Sequence, residues 1–151
     1  MAVYFLDASA LVKAYVQEPG SGWVRQILRR GANVTFVSPL SGAEVLAAIA
    51  RKQRLGELDL AARDRIGAAF RRDYRGRFVH TSLRGMVIEK AMTLVFDHPL
   101  RAYDAIQLAS ALLLPRAPAR LRPLLFVSAD SALLRVARQM GLSTENPLDH
   151  P

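Results

Sequence analysis

Cysteine is absent from the 151 residues, and lysine and histidine occur only three times each. Without thiols there is no disulfide framework, no cysteine nucleophile and no thiolate-bound zinc. His80, His98 and His150 show no ligand spacing, so a bound metal would have to be held by oxygen. No apolar run reaches the roughly 18 residues that a membrane span needs. The first residues also lack the basic start and small-residue cleavage site of a signal peptide. A cytoplasmic protein without membrane association is expected.

The chain is 51% hydrophobic, enough for one compact domain over residues 1–151 with a full-sized core. Its net charge is +8, and all but three of its 21 basic residues are arginine. Arginine forks phosphate oxygens bidentately, so the surface is compatible with nucleic acid.

Short β-rich runs alternate with amphipathic helical stretches, the pattern of a parallel sheet covered by helices. Strands are expected at Val3–Leu6, Asn33–Ser38, Arg77–Thr81 and Leu124–Ser128. Helices are expected at Ser9–Val16, Trp23–Arg30, Leu40–Leu55, Leu60–Tyr74, Gly85–Phe96, Leu100–Leu114 and Ser131–Met140. Pro115 and Pro118 stop the sixth of these, and Gly141 is the C-cap of the last.

Against this pattern, four acids stand in apolar settings. Asp7 ends the first strand in "YFLDAS", with Ser9 two residues on. Glu44 opens the helix "SGAEVLAAIAR", and Asp104 lies in "RAYDAIQLASALLL", whose next ten residues carry no charge. Asp130 follows "LLFVS", repeating with Ser128 the Asp7 and Ser9 pairing in reverse order. In a parallel α/β sheet the carboxyl ends of strands and the first turns of helices share one edge, where ligands collect. Two carboxylates about 4 Å apart repel by about 4 kcal/mol at an effective dielectric of 20. A converged set must therefore take up protons or a cation. Oxygen-only ligands select Mg²⁺ or Mn²⁺, the ions of metal-assisted phosphodiester hydrolysis.

The segments "YFLDASALVKAY", "SPLSGAEVLAAIAR", "LRAYDAIQLASAL" and "FVSADSALLRVARQMGL" resemble, in order and over nearly the whole chain, the acidic motifs of PIN-domain ribonucleases. The likeness is greatest to the VapC toxins of VapBC toxin–antitoxin modules. The resemblance implies a three-layer α/β/α fold with a central, mainly parallel sheet of four to five strands. It further implies a Mg²⁺- or Mn²⁺-dependent endoribonuclease whose acids are Asp7, Glu44, Asp104 and Asp130, with Ser9 and Ser128 orienting an acid or a metal-bound water. A VapB-type antitoxin partner and a homodimer are implied in the same way. One departure is visible: after Asp130 no acid follows until Glu145, where PIN domains often carry another close by.

Simpler roles compete for the same residues. Asp7 and Asp130 are good helix N-caps, Glu44 is favoured by a helix dipole, and Asp104 has Arg101 beside it. Lys13 is either solvated or paired with an acid of the cluster, and Trp23 reads as a core anchor. Arg71, Arg72 and Arg75 in "RRDYRGR" are a solvated face or, with Arg101, contacts for RNA. A haloacid dehalogenase-like phosphatase typically has a second acid two residues after its first aspartate, where this chain has Ser9. A catalytically silent module of the same fold, binding RNA or protein, is the remaining alternative.

Overall fold

A computed structural model of the chain describes residues 2–114 and 124–150. Five strands, β1 (Val3–Leu6), β2 (Val34–Val37), β3 (Val79–His80), β4 (Leu124–Val127) and β5 (Ser143–Glu145), form one sheet in the order β3-β2-β1-β4-β5. All four pairings are parallel. Among the described residues seven α-helices connect and cover them: α1 (Ala8–Leu11), α2 (Ser21–Arg29), α3 (Ser41–Arg54), α4 (Leu60–Gly76), α5 (Gly85–Asp97), α6 (Ala102–Leu112) and α7 (Ser131–Gln139).

Alternation along the central strands separates two apolar layers, because successive strand residues face opposite sides. Tyr4 and Leu6 pack with Val24 and Ile27 of α2, Val45 and Ile49 of α3 and Phe70 of α4. Phe5 and Phe126 pack on the other side with Val87 and Leu94 of α5, Leu108 of α6 and Leu133 of α7. Those two rings are cross-strand neighbours and stack at 5.5 Å. The result is the three-layer α/β/α arrangement with a wholly parallel sheet.

Three expectations about elements change. The helix expected at Ser9–Val16 is one α-turn followed by a 3-10 turn, Val12–Ala14. The Ala14 carbonyl is taken by Arg25 Nε at 3.0 Å, while the Glu18 N–H that an α-helix would bring to it donates to Ser21 Oγ. The third strand shrinks from Arg77–Thr81 to Val79–His80, since the Arg77 N–H still closes α4 by donating to the Asp73 carbonyl. Strand β5 was not expected, because Ser143–Glu145 is polar; an edge strand pairs on one side only and needs no apolar run.

The C-terminal end of α7 follows the sequence reading. Gly141 has φ +87°, and the Gly141 and Leu142 N–H groups donate back to the carbonyls of Arg138 and Ala137. Pro115 and Pro118 lie outside the described residues. Trp23 is half-buried against the first core layer and stacks face to face on His150 at 4.4 Å. No helix among the described residues is long and apolar enough to cross a membrane.

Candidate active site

Strands β1 and β4 are neighbours, so the residues that leave their carboxyl ends emerge side by side. Asp7 follows β1 and is 3% exposed. Its carboxylate accepts hydrogen bonds from Ser9 Oγ (2.7 Å), Ser128 Oγ (2.7 Å) and the Ala10 N–H (2.9 Å). The last of these makes Asp7 the N-cap of α1, so the capping role and the acidic role coexist. Ser128, after β4, also accepts from the Asp130 N–H at 3.0 Å, and Ser9 accepts from the Ala129 N–H at 2.9 Å. The two serines thus bind the two strand ends to each other and fix the carboxylate between them.

Asp130 caps α7 through the Ala132 and Leu133 N–H groups. Asp104, in the first turn of α6, accepts from Arg101 Nε at 2.9 Å, and Arg101 Nη2 stands 3.8 Å from Asp130 Oδ2. Arg101 therefore lies between two of the acids. Glu44, in the first turn of α3, accepts at Oε2 from Gln107 Nε2 at 3.1 Å. Its other oxygen, Oε1, is buried and finds no donor among the described residues.

Asp7, Glu44 and Asp104 are coupled by charge, and Asp130 is linked to them through Arg101. Burial, above all, raises the Asp7 carboxyl to about 6, against the pull of its three hydrogen bonds, and the charge of Asp104 pushes it further up. Glu44 is raised as well, first by burial, then, with the Gln107 hydrogen bond opposing, by the charges of Asp7 and Asp104. Such a site carries an excess of negative charge that a cation relieves.

The donor chemistry fits a hard divalent ion: carboxylate oxygens, no thiol or imidazole among them, and one buried Glu44 oxygen lacking a partner among the described residues. The spacing is open. Among the described residues no three carboxylates or imidazoles stand close enough to grip an ion as they are.

The remaining candidates lie elsewhere. Lys13 is buried but turns from the cluster to Glu18, at 3.1 Å, which also holds Lys52 at 2.9 Å. Arg71, Arg72 and Arg75 are exposed on α4 and line an open groove of about 470 Å³ with Ala68 and Gly76. None of the four acids lines it. Glu145, the next acid after Asp130, is occupied by His150 at 3.1 Å. Gln107 escaped the sequence reading because it carries no charge. The available signal was its position three residues after Asp104, on the same helix face, inside an otherwise apolar run.

The family model of the PIN domain matches residues 4–139. The chain belongs to the PIN-domain family. Solved structures share the PIN-domain fold at low identity. VapBC2 of Rickettsia felis, solved bound to a DNA fragment from its promoter, is 13% identical with a TM-score of 0.62, covering 95% of this chain and 98% of that one. PAE2754 of Pyrobaculum aerophilum is 20% identical with a TM-score of 0.63, covering 99% and 91%. FitAcB of Neisseria gonorrhoeae is 15% identical with a TM-score of 0.58, covering 95% and 97%. A search of curated protein sequences finds no match.

Proposed function

We propose that this PIN domain, over residues 1–151, is a Mg²⁺- or Mn²⁺-dependent endoribonuclease. We further propose that it is the VapC-type toxin of a toxin–antitoxin pair, acting in the cytoplasm and held inactive by a small VapB-type protein. The observation that supports the reading is the charge coupling among Asp7, Glu44 and Asp104 at the carboxyl edge of the sheet, with Asp130 reached through Arg101. The toxin–antitoxin assignment draws on fold likeness to VapBC2 and FitAcB.

Asp7, Glu44, Asp104 and Asp130 would hold the cation. The cation would supply positive charge to offset that of the scissile phosphate, and would make water at the site more acidic. Ser9 and Ser128 keep the Asp7 carboxylate turned toward the edge, and Arg101 offers phosphate a guanidinium once the acids release it. Purified protein should cleave RNA with Mg²⁺ or Mn²⁺ and stop when EDTA removes them; cleavage in EDTA would end the metal reading.

The Arg101 bridge favours a second reading, a silent PIN-fold module that binds RNA or protein, since the guanidinium already neutralises part of the acidic charge. Calorimetry with Mn²⁺ separates the two. Binding that is lost in Asp7→Asn belongs to the nuclease, and no binding by the wild type belongs to the silent module.

Arg71, Arg72 and Arg75 serve in this proposal to steer RNA rather than to cut it, because their groove is separate from the acids. Each phosphate contact on a single strand contributes a slope of about −0.7 to log affinity against log salt. Replacing all three with Gln should raise KM and flatten the salt dependence, with kcat nearly unchanged. A fall in kcat at constant KM would assign them to catalysis or to the fold.

A homodimer completes the proposal. Helix α5 buries Val87, Ala91 and Leu94, yet a second apolar stripe of Ile88, Met92 and Val95 faces outward, with Phe96 91% exposed at its end. An uncharged stripe is self-complementary, which is what a two-fold contact between copies requires. Light scattering at micromolar concentration should give twice the 16.7 kDa chain mass, and Met92→Lys with Phe96→Lys should give the monomer. A monomeric wild type would remove the dimer.

A further inference from the structure

Gln107 is 1% exposed, in the middle of α6, one turn beyond Asp104. Its Nε2 donates to two acceptors in the first turn of α3, Ser41 Oγ at 3.1 Å and Glu44 Oε2 at 3.1 Å. The orientation of the amide follows from its partner: an ionised carboxylate only accepts, so the NH₂ end must face Glu44. This leaves the Gln107 carbonyl oxygen, Oε1, buried without a donor among the described residues, and Glu44 Oε1 is in the same condition.

Two buried acceptors without donors in one hydrogen-bonded pair are uncommon, because each lost hydrogen bond leaves its desolvation uncompensated. Both belong to a linked pair at the edge of the acidic site. What they lack is a source of protons or positive charge, and a hydrated divalent cation carries both: its charge attracts the carboxylate, and its water donates to an amide oxygen.

We propose that Gln107 is a positioning residue of the metal site. It holds Glu44 Oε2 with its amide N–H so that Oε1 is free for the cation, and it turns its own carbonyl oxygen to the cation's hydration shell. Ser41 fixes the amide by taking its second hydrogen. The inference rests on the metal-dependent reading above and adds to it a residue that bears no charge.

The test is Mn²⁺ affinity, by calorimetry and by the electron paramagnetic resonance signal of free Mn²⁺, without RNA. Gln107→Met keeps the volume and removes the donors. It should weaken Mn²⁺ binding about 10- to 100-fold, the usual range for residues that orient metal ligands. Gln107→Asn, an amide too short to reach Glu44, should weaken it similarly and serves if the Met variant fails to fold. A double-mutant cycle distinguishes positioning from general support of the fold. In a Glu44→Gln background the Gln107 substitution should cost clearly less than in the wild type, because there is no carboxylate left to position and only the contact of the amide oxygen to the hydration shell remains to be lost. Unchanged Mn²⁺ affinity in folded Gln107→Met or Gln107→Asn overturns the proposal, and so does an equal loss in both backgrounds. If the wild type binds no Mn²⁺ at all, the metal reading itself fails and this inference with it.

Discussion

Asp104→Asn is expected to abolish metal-dependent RNA cleavage while leaving the melting temperature close to that of the wild type. Among the described residues, the side chain of Asp104 is held by Arg101 alone, whose own side chain is 80% exposed. Exposed ion pairs of this kind contribute about 0 to 1 kcal/mol, and Asp104 caps no helix. Its loss should therefore be invisible to circular dichroism. Cleavage should fall by more than the roughly 100-fold that supporting residues contribute, because an amide in place of a carboxylate removes both a ligand and a charge. Ser9→Ala should stay within that 100-fold, since Ser128 and the Ala10 N–H still hold Asp7. Cleavage of labelled RNA by Asp104→Asn at the wild-type rate would show that the reaction, if there is one, takes place elsewhere.

The metal-free protein is expected to lose stability as the pH rises from about 4 through 6, and Asp7→Asn should remove much of that loss. Asp7 titrates near 6 in the folded chain and near 3.8 in its unperturbed state. Between these values the folded state binds more protons than the unfolded state, so stability falls with rising pH and levels off above the folded value. A shift of about two units corresponds to roughly 3 kcal/mol. Glu44 is raised too and adds to the same slope. Glu18 opposes it: although burial pushes its carboxyl upward, hydrogen bonds and charge from Lys52 and Lys13 hold it low. Glu18 is common to both proteins, so the difference between them isolates Asp7. Asparagine at position 7 can keep the N-cap through its carbonyl oxygen and donate to Ser128 Oγ, whose own proton has Ser9 Oγ at 3.3 Å as an acceptor. Thermal melts in EDTA from pH 4.5 to 8 should show the variant more stable at pH 7.5 by up to about 3 kcal/mol, and the gap closing toward pH 4.5. Parallel curves for the two proteins would mean that the burial of Asp7 is compensated within the fold.

Much of the architecture was legible because its causes are local. The apolar runs at Val3–Leu6 and Leu124–Val127 are strands buried on both faces, and such strands read as continuous hydrophobic segments. Asp7 and Asp130 were conspicuous because a charge interrupts those segments where the strands end, and Gly141 marks a helix end by a conformation that glycine adopts freely. Strand β5 was not legible, since its three residues are set by pairing with β4 and not by their own propensity. The partners of the charged groups were not legible either. The pairing of Asp104 with Arg101 is the exception, being three residues apart; Lys13 turns to Glu18, Arg101 reaches on to Asp130, and Gln107 reaches Glu44 from a segment 63 residues away. Sequence by itself determined the layered α/β class and which acids stand where an acid is costly, because burial and periodicity are written into neighbouring residues. Only the tertiary structure decided which donor meets which acceptor and which oxygen is left without one. Those outcomes depend on how helices from distant parts of the chain dock on a common sheet edge, and no local pattern encodes that docking.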